Sequence, residues 1–141
     1  MIHHINKQNE TEAKIKFYVA DDDEDIREIV KDTLEMHFNA TVLEFESSED
    51  LMDAVVHDEK APDLIITDIK MPGEGGLSIP GRLAENGCAI PVLFITGVRH
   101  GEDLNDYSVL NKPFNMGDLT DRVHEMLEWF YTQKEVSREA A

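Results

Sequence analysis

The chain has 141 residues, thirty of them acidic and thirteen basic, which gives a formal charge of −17 and a pI near 4.5. That length suits one compact domain, and so acidic a surface repels phosphate backbones, which argues against direct nucleic-acid binding. Cys88 is the only cysteine, so no intramolecular disulfide can form, and no apolar run approaches the ~20 residues of a membrane span.

Residues 1–15 read as a disordered polar arm without the apolar core of a signal peptide, with His3 and His4 as part of a solvated tail. Together with the lone cysteine, this leads to the expectation of a cytoplasmic protein. Phe17–Ala20 is a short run of β-formers, stopped by the acidic run Asp21 to Asp25. Ile26, Ile29, Val30, Thr33, Leu34, His37 and Phe38 then recur at three- and four-residue steps and predict a helix whose first-turn acids suit its dipole. Thr41–Phe45 reads as a second strand. Ser47 or Ser48 caps a second helix carrying Leu51, Met52, Val55 and Val56.

Pro62 breaks the chain before Leu64–Asp68, an apolar run without alternation, as expected of a strand covered on both faces. A turn-rich loop, Met71 to Gly76, leads into a weak helix from Ser78 to Glu85, where Pro80 is tolerable only in the first turn. Pro91–Thr96 is a fourth buried-type strand and Val109-Leu110 a short fifth. The last helix is expected from about Asn115 to Tyr131, followed by a frayed tail over 132–141.

Strands alternating with helices predict an α/β fold, an open parallel sheet with helices on both faces, where polar chemistry gathers at the carboxyl ends of the strands. The polar residues here stand at those ends. Asp21 and Asp22 close the first strand, Asp68 the third and Thr96 the fourth, and Lys112 follows the fifth. Taken singly, each has an ordinary reading: helix cap, strand-end cap, strand residue, solvated lysine. All those readings would have to hold together at matching strand ends. Three converging aspartates would instead suit Mg²⁺, which prefers oxygen ligands, while a lysine and a threonine would neutralise the equatorial oxygens of a phosphoryl group in transfer.

Over about residues 16–131 the sequence resembles the receiver domain of bacterial response regulators. The resemblance rests on the acidic pair Asp21-Asp22, on Asp68 followed by Met71-Pro72 and the turn Gly73 to Leu77, on Thr96-Gly97, and on Lys112-Pro113-Phe114. It implies a flavodoxin-like doubly wound sheet of five parallel strands in the order 2-1-3-4-5. It further implies that Asp68 accepts a phosphoryl group from a histidine kinase or histidine phosphotransfer protein, aided by Thr96 and Lys112. Mg²⁺ would be ligated by Asp22, Asp68 and the Lys70 backbone carbonyl, with Asp21 acting through water. A cis peptide bond before Pro113 is also implied.

Such a chain is no enzyme beyond catalysing its own phosphorylation and dephosphorylation. With residues 1–15 as an arm, 16–131 as the domain and 132–141 as a tail, no output domain fits, so a single-domain regulator or phosphorelay intermediate is expected. Lys70 and Val98, two residues past Asp68 and Thr96, are expected to set the lifetime of the phosphoryl group.

This sequence departs from the family in two places. The interval from Thr96 to Lys112 is short by about six positions, under two helical turns, so the family's fourth helix is shortened or missing. Residues 98–107 then read as a mobile loop, ordered by phosphorylation, like that of the stand-alone receivers carrying a Phe-Ala-Thr-Gly signature. Val109 occupies the place of the family's switch aromatic, with Tyr107 two residues earlier. Two other readings compete. One is a pseudo-receiver that only binds partners. The other is a haloacid-dehalogenase-type hydrolase using Asp21 and Asp23, although Asp25 stands where that family has Thr or Val. A calcium loop starting at Asp21 fails because Ile26 stands where a glycine must turn.

Overall fold

The described residues of the chain, in a computed structural model, are 14–97, 104 and 106–140, with side chains to residue 133. Residues 1–13 of the expected arm lie outside that range, as do 98–103 and 105 of the expected loop, Val98 among them.

Strand β1 (Ile15–Ala20) is followed by α1 (Glu24–His37), β2 (Ala40–Phe45), α2 (Ser48–His57) and β3 (Leu64–Asp68). A 3₁₀ turn (Gly76–Ser78) runs into α3 (Ile79–Glu85), and β4 (Val92–Thr96), β5 (Ser108–Asn111) and α4 (Met116–Ala140) complete the chain. The strands form one parallel sheet in the order β2-β1-β3-β4-β5, as the resemblance implies. Among the described residues no helix lies between β4 and β5. There Tyr107 meets Phe94 edge-on, with ring centroids 5.2 Å apart.

Helices cover both faces, which explains why the middle strands are apolar throughout. Leu64 and Ile66 of β3 point into one core, with Phe17, Val30, Leu34 and Leu119. Ile65 points into the other, with Tyr18, Leu51, Met52 and Ile79. Burying a side chain of this kind contributes about 1.5–3 kcal/mol, so the sheet holds its strand ends in fixed register. Asp68 stands opposite Ile95, and Thr96 opposite Asn111.

Local signals set where the helices begin. Asp23 caps α1, accepting from the amides of Asp25 and Ile26 at 2.9 and 3.4 Å. Ser47, and not the fully buried Ser48, caps α2. Pro80 sits in the first turn of α3. Asn115 and Asp118 exchange side-chain-to-backbone bonds at 2.7 and 3.3 Å at the start of α4.

Two expectations are corrected. Ile29 is 52% exposed, and the buried stripe of α1 is Arg27, Val30, Thr33 and Leu34. Apolar spacing passes over Arg27 because its charge argues against burial, and only paired partners make burial tolerable. Nor does the last helix stop near Tyr131; it continues to Ala140. Residues 132–140 contain neither glycine nor proline and carry several good helix formers, so nothing in them breaks the helix once its packing ends.

Candidate active site

At the carboxyl edge of the sheet four of the five strand ends deliver one or two polar groups. Asp21 and Asp22 follow β1, Asp68 ends β3, Thr96 ends β4 and Lys112 follows β5. One oxygen from each of Asp21, Asp22 and Asp68 lies within 4.8 Å of the others. Asp21 is fully buried, Asp68 nearly so, and Asp22 is exposed at the rim. Nζ of Lys112 donates to Oδ2 of Asp21 at 3.0 Å and to Oδ2 of Asp68 at 2.9 Å. Their Oδ1 atoms accept from the chain itself, Asp21 from the amide of Asp23 at 2.9 Å and Asp68 from that of Lys70 at 3.2 Å.

Burial pushes the Asp21 carboxyl above its ordinary range; the neighbouring Asp68 charge adds to this, while the Asp23 amide and the Lys112 ammonium oppose it. For Lys112, burial favours the neutral amine, but its bonds to Asp68 and Asp21 outweigh this and raise its pKa overall. Three carboxylates against one ammonium leave the pocket negative. Hard oxygen donors, one of them at an open rim, match what Mg²⁺ or Ca²⁺ requires, so the residues fit a divalent cation. A depression lined by Asp22, Lys70, Met71 and Gly73 opens beside the acids.

Thr96 is buried at the end of β4, and the Lys112 amide donates to its carbonyl at 2.7 Å. This bond ties the β5 end to the β4 end ahead of the Lys112–Pro113 peptide, which is cis. The acidic run divides its work: Asp21 and Asp22 enter the site, whereas Asp23 is spent on capping α1. That removes the second aspartate of the hydrolase reading. Two residues that shape the site escaped sequence reasoning, and a third, Gly76, was read only as part of a turn. Arg27 donates from Nη1 to the Asp21 carbonyl at 2.7 Å. Glu49 accepts from the Glu74 amide at 3.2 Å, holding the loop that carries Lys70. Gly76 lies against the Asp68 carbonyl. Of the first two, Arg27 left a trace in the sequence, its three-residue step from Val30.

This fold, with acids, threonine and lysine at successive strand ends, is that of a two-component receiver. The family model of the response regulator receiver domain matches residues 17–124, and the chain belongs to that family. Its chemistry is phosphorelay signalling, with self-catalysed phosphorylation and dephosphorylation, and the family's partners are histidine kinases and phosphotransfer proteins.

The chain is 30% identical to the C4-dicarboxylate transport transcriptional regulatory protein DctD of Pseudomonas aeruginosa, over 83% of this chain and 26% of that protein. It is 28% identical to the response regulator receiver protein CpdR of Brucella abortus, over 79% of this chain and 96% of that one. A crystal structure of a response regulator receiver domain protein from Clostridium thermocellum superposes with a TM-score of 0.71 at 26% identity, covering 84% of this chain and 98% of that one. The chain thus spans about a quarter of DctD and nearly all of CpdR. Among the described residues no helix is long and apolar enough to cross a membrane.

Proposed function

We propose that Asp68 accepts the phosphoryl group, that Asp22, Asp68 and the Lys70 carbonyl hold Mg²⁺ with Asp21 acting through water, and that Thr96 and Lys112 receive the phosphoryl oxygens. The observation that carries this reading is the Lys112 ammonium bridging Asp21 and Asp68 beside the third acid.

An Asp68 oxygen bonds to phosphorus as the P–N bond of a phosphohistidine donor breaks; the imidazole leaves with the electron pair and takes up a proton. When bound, Mg²⁺ would neutralise charge on the phosphoryl oxygens. Lys112 then shifts from Oδ2 of Asp68 to a phosphoryl oxygen and keeps Asp21 as its second partner. The Thr96 hydroxyl donates to another. Donors held in place by a packed sheet need little rearrangement during transfer, which is how such sites lower a barrier. We assign the chain a role as a cytoplasmic phosphoryl-accepting regulator or relay intermediate; it matches nearly all of CpdR and about a quarter of DctD.

Acetyl phosphate with Mg²⁺ should add one phosphoryl mass to the intact chain, and a chelator should prevent it. A chain that never labels, from acetyl phosphate or from any histidine kinase, would instead be a pseudo-receiver. Lys70 is exposed two residues past Asp68, with its ammonium free to reach over the phosphoryl oxygens. Lys70→Ala should therefore change the dephosphorylation half-life several-fold; an unchanged half-life would place the side chain in solvent throughout.

A further inference from the structure

We propose that Arg27 is a positioning residue for the acidic cluster: its buried guanidinium holds the Asp21 main chain so that Asp21 and Asp22 face Asp68. The inference rests on the reading of those acids as a divalent-cation site.

Arg27 is 8% exposed, on the α1 face turned toward the sheet. The Asp21 amide donates to the Phe45 carbonyl at 3.2 Å, continuing the ladder to β2. Its carbonyl leaves the strand and accepts instead from Nη1 of Arg27 at 2.7 Å. That oxygen belongs to the planar peptide unit joining Asp21 to Asp22, so fixing it fixes the orientation from which both side chains depart. On its far side the guanidinium faces β2. Nε lies 3.5 Å from a Glu44 oxygen without making a hydrogen bond, and Nη2 lies 4.0 Å from Glu46. A planar fork can span a carbonyl on one side and carboxylates on the other; an ammonium reaches one of them. Retaining a buried cation here costs desolvation that an apolar residue would avoid, and what it secures on the site side is one carbonyl.

The sign of the effect separates this role from two others. Arg27 is a cation close to a cation site, so by Coulomb repulsion alone its removal would tighten Mg²⁺ binding. If Arg27 only fastened α1 to the sheet, its loss would lower the melting temperature and leave the folded fraction binding as before. Positioning predicts weaker binding.

The test titrates Mg²⁺ into the whole chain and follows the backbone amide signals of Asp22 and Asp68 by NMR, which reports on folded molecules only. Arg27→Met and the charge-keeping Arg27→Lys should both weaken binding, by roughly tenfold for the first, as expected when a group that orients a metal ligand is lost. Wild-type chain without Mg²⁺-dependent shifts would overturn the site reading and this inference with it. Wild-type binding with equal or tighter binding in both Arg27 variants would overturn the inference alone.

Discussion

Asp68→Asn is expected to abolish phosphoryl labelling, a loss on the order of 10²-fold or more, because a neutral amide oxygen is a far weaker nucleophile than a carboxylate. The neighbours are poor substitutes. Asp21 is fully buried, with one oxygen accepting from the Asp23 amide and the other from Lys112. Asp22 is exposed at the rim and lies off the contact that Lys112 makes with Asp68. The substitution should leave the fold intact. It removes one of three mutually repelling carboxylates, and Lys112 keeps Asp21 as its partner, so stability should change by less than about 1 kcal/mol or rise. Intact mass after acetyl phosphate treatment, with a urea curve alongside, reads both effects. Undiminished labelling of the folded variant would sink the assignment of Asp68.

Among the described glycines, Gly76 should be the most costly to replace with alanine. A Cβ at Gly76 would stand 2.0 Å from the Asp68 carbonyl oxygen and 3.0 Å from its carbon. Both are backbone atoms at the end of a fully buried central strand, so neither can step aside as a flexible side chain would. The Gly76 amide donates to the Ile69 carbonyl at 2.9 Å, which pins the turn against the strand. Overpacking of this kind costs typically 1–3 kcal/mol and sometimes more; with backbone on both sides about 2–4 kcal/mol is expected, read as a fall in the urea midpoint. Labelling of the remaining folded molecules should fall too, since relief of the clash displaces Asp68. Gly81→Ala is the control: its Cβ would meet nothing within 4 Å, and in the body of α3 alanine should stabilise by about 0.5–1 kcal/mol. Equal midpoints for Gly76→Ala and wild type would mean that the turn yields freely.

Much of this protein was legible before any coordinates. Periodicity and punctuation located the strands, the middle ones most plainly, because a strand buried on both faces shows an apolar run without alternation, as Leu64 to Ile66 of β3 and Val92 to Ile95 of β4 do. Asp21, Asp22, Asp68 and Lys112 could be expected together because a parallel sheet collects its strand ends on one edge, although the three strands that carry them are far apart in sequence. Only tertiary structure decided what depends on direction and distance. Asp23 stands beside two site aspartates, yet its carboxylate turns to cap α1, and nothing in the run Asp21 to Asp25 says which acid turns which way. Arg27 looks like a solvated helix residue until Glu44, seventeen positions on, is brought alongside by the β1–β2 pairing. Gly76 is one of several glycines in its loop, and its closeness to Asp68 exists only once the turn folds back on β3. Composition and spacing record which groups a fold can bury, whereas the partner that makes a buried charge or a missing side chain necessary comes from a distant part of the chain.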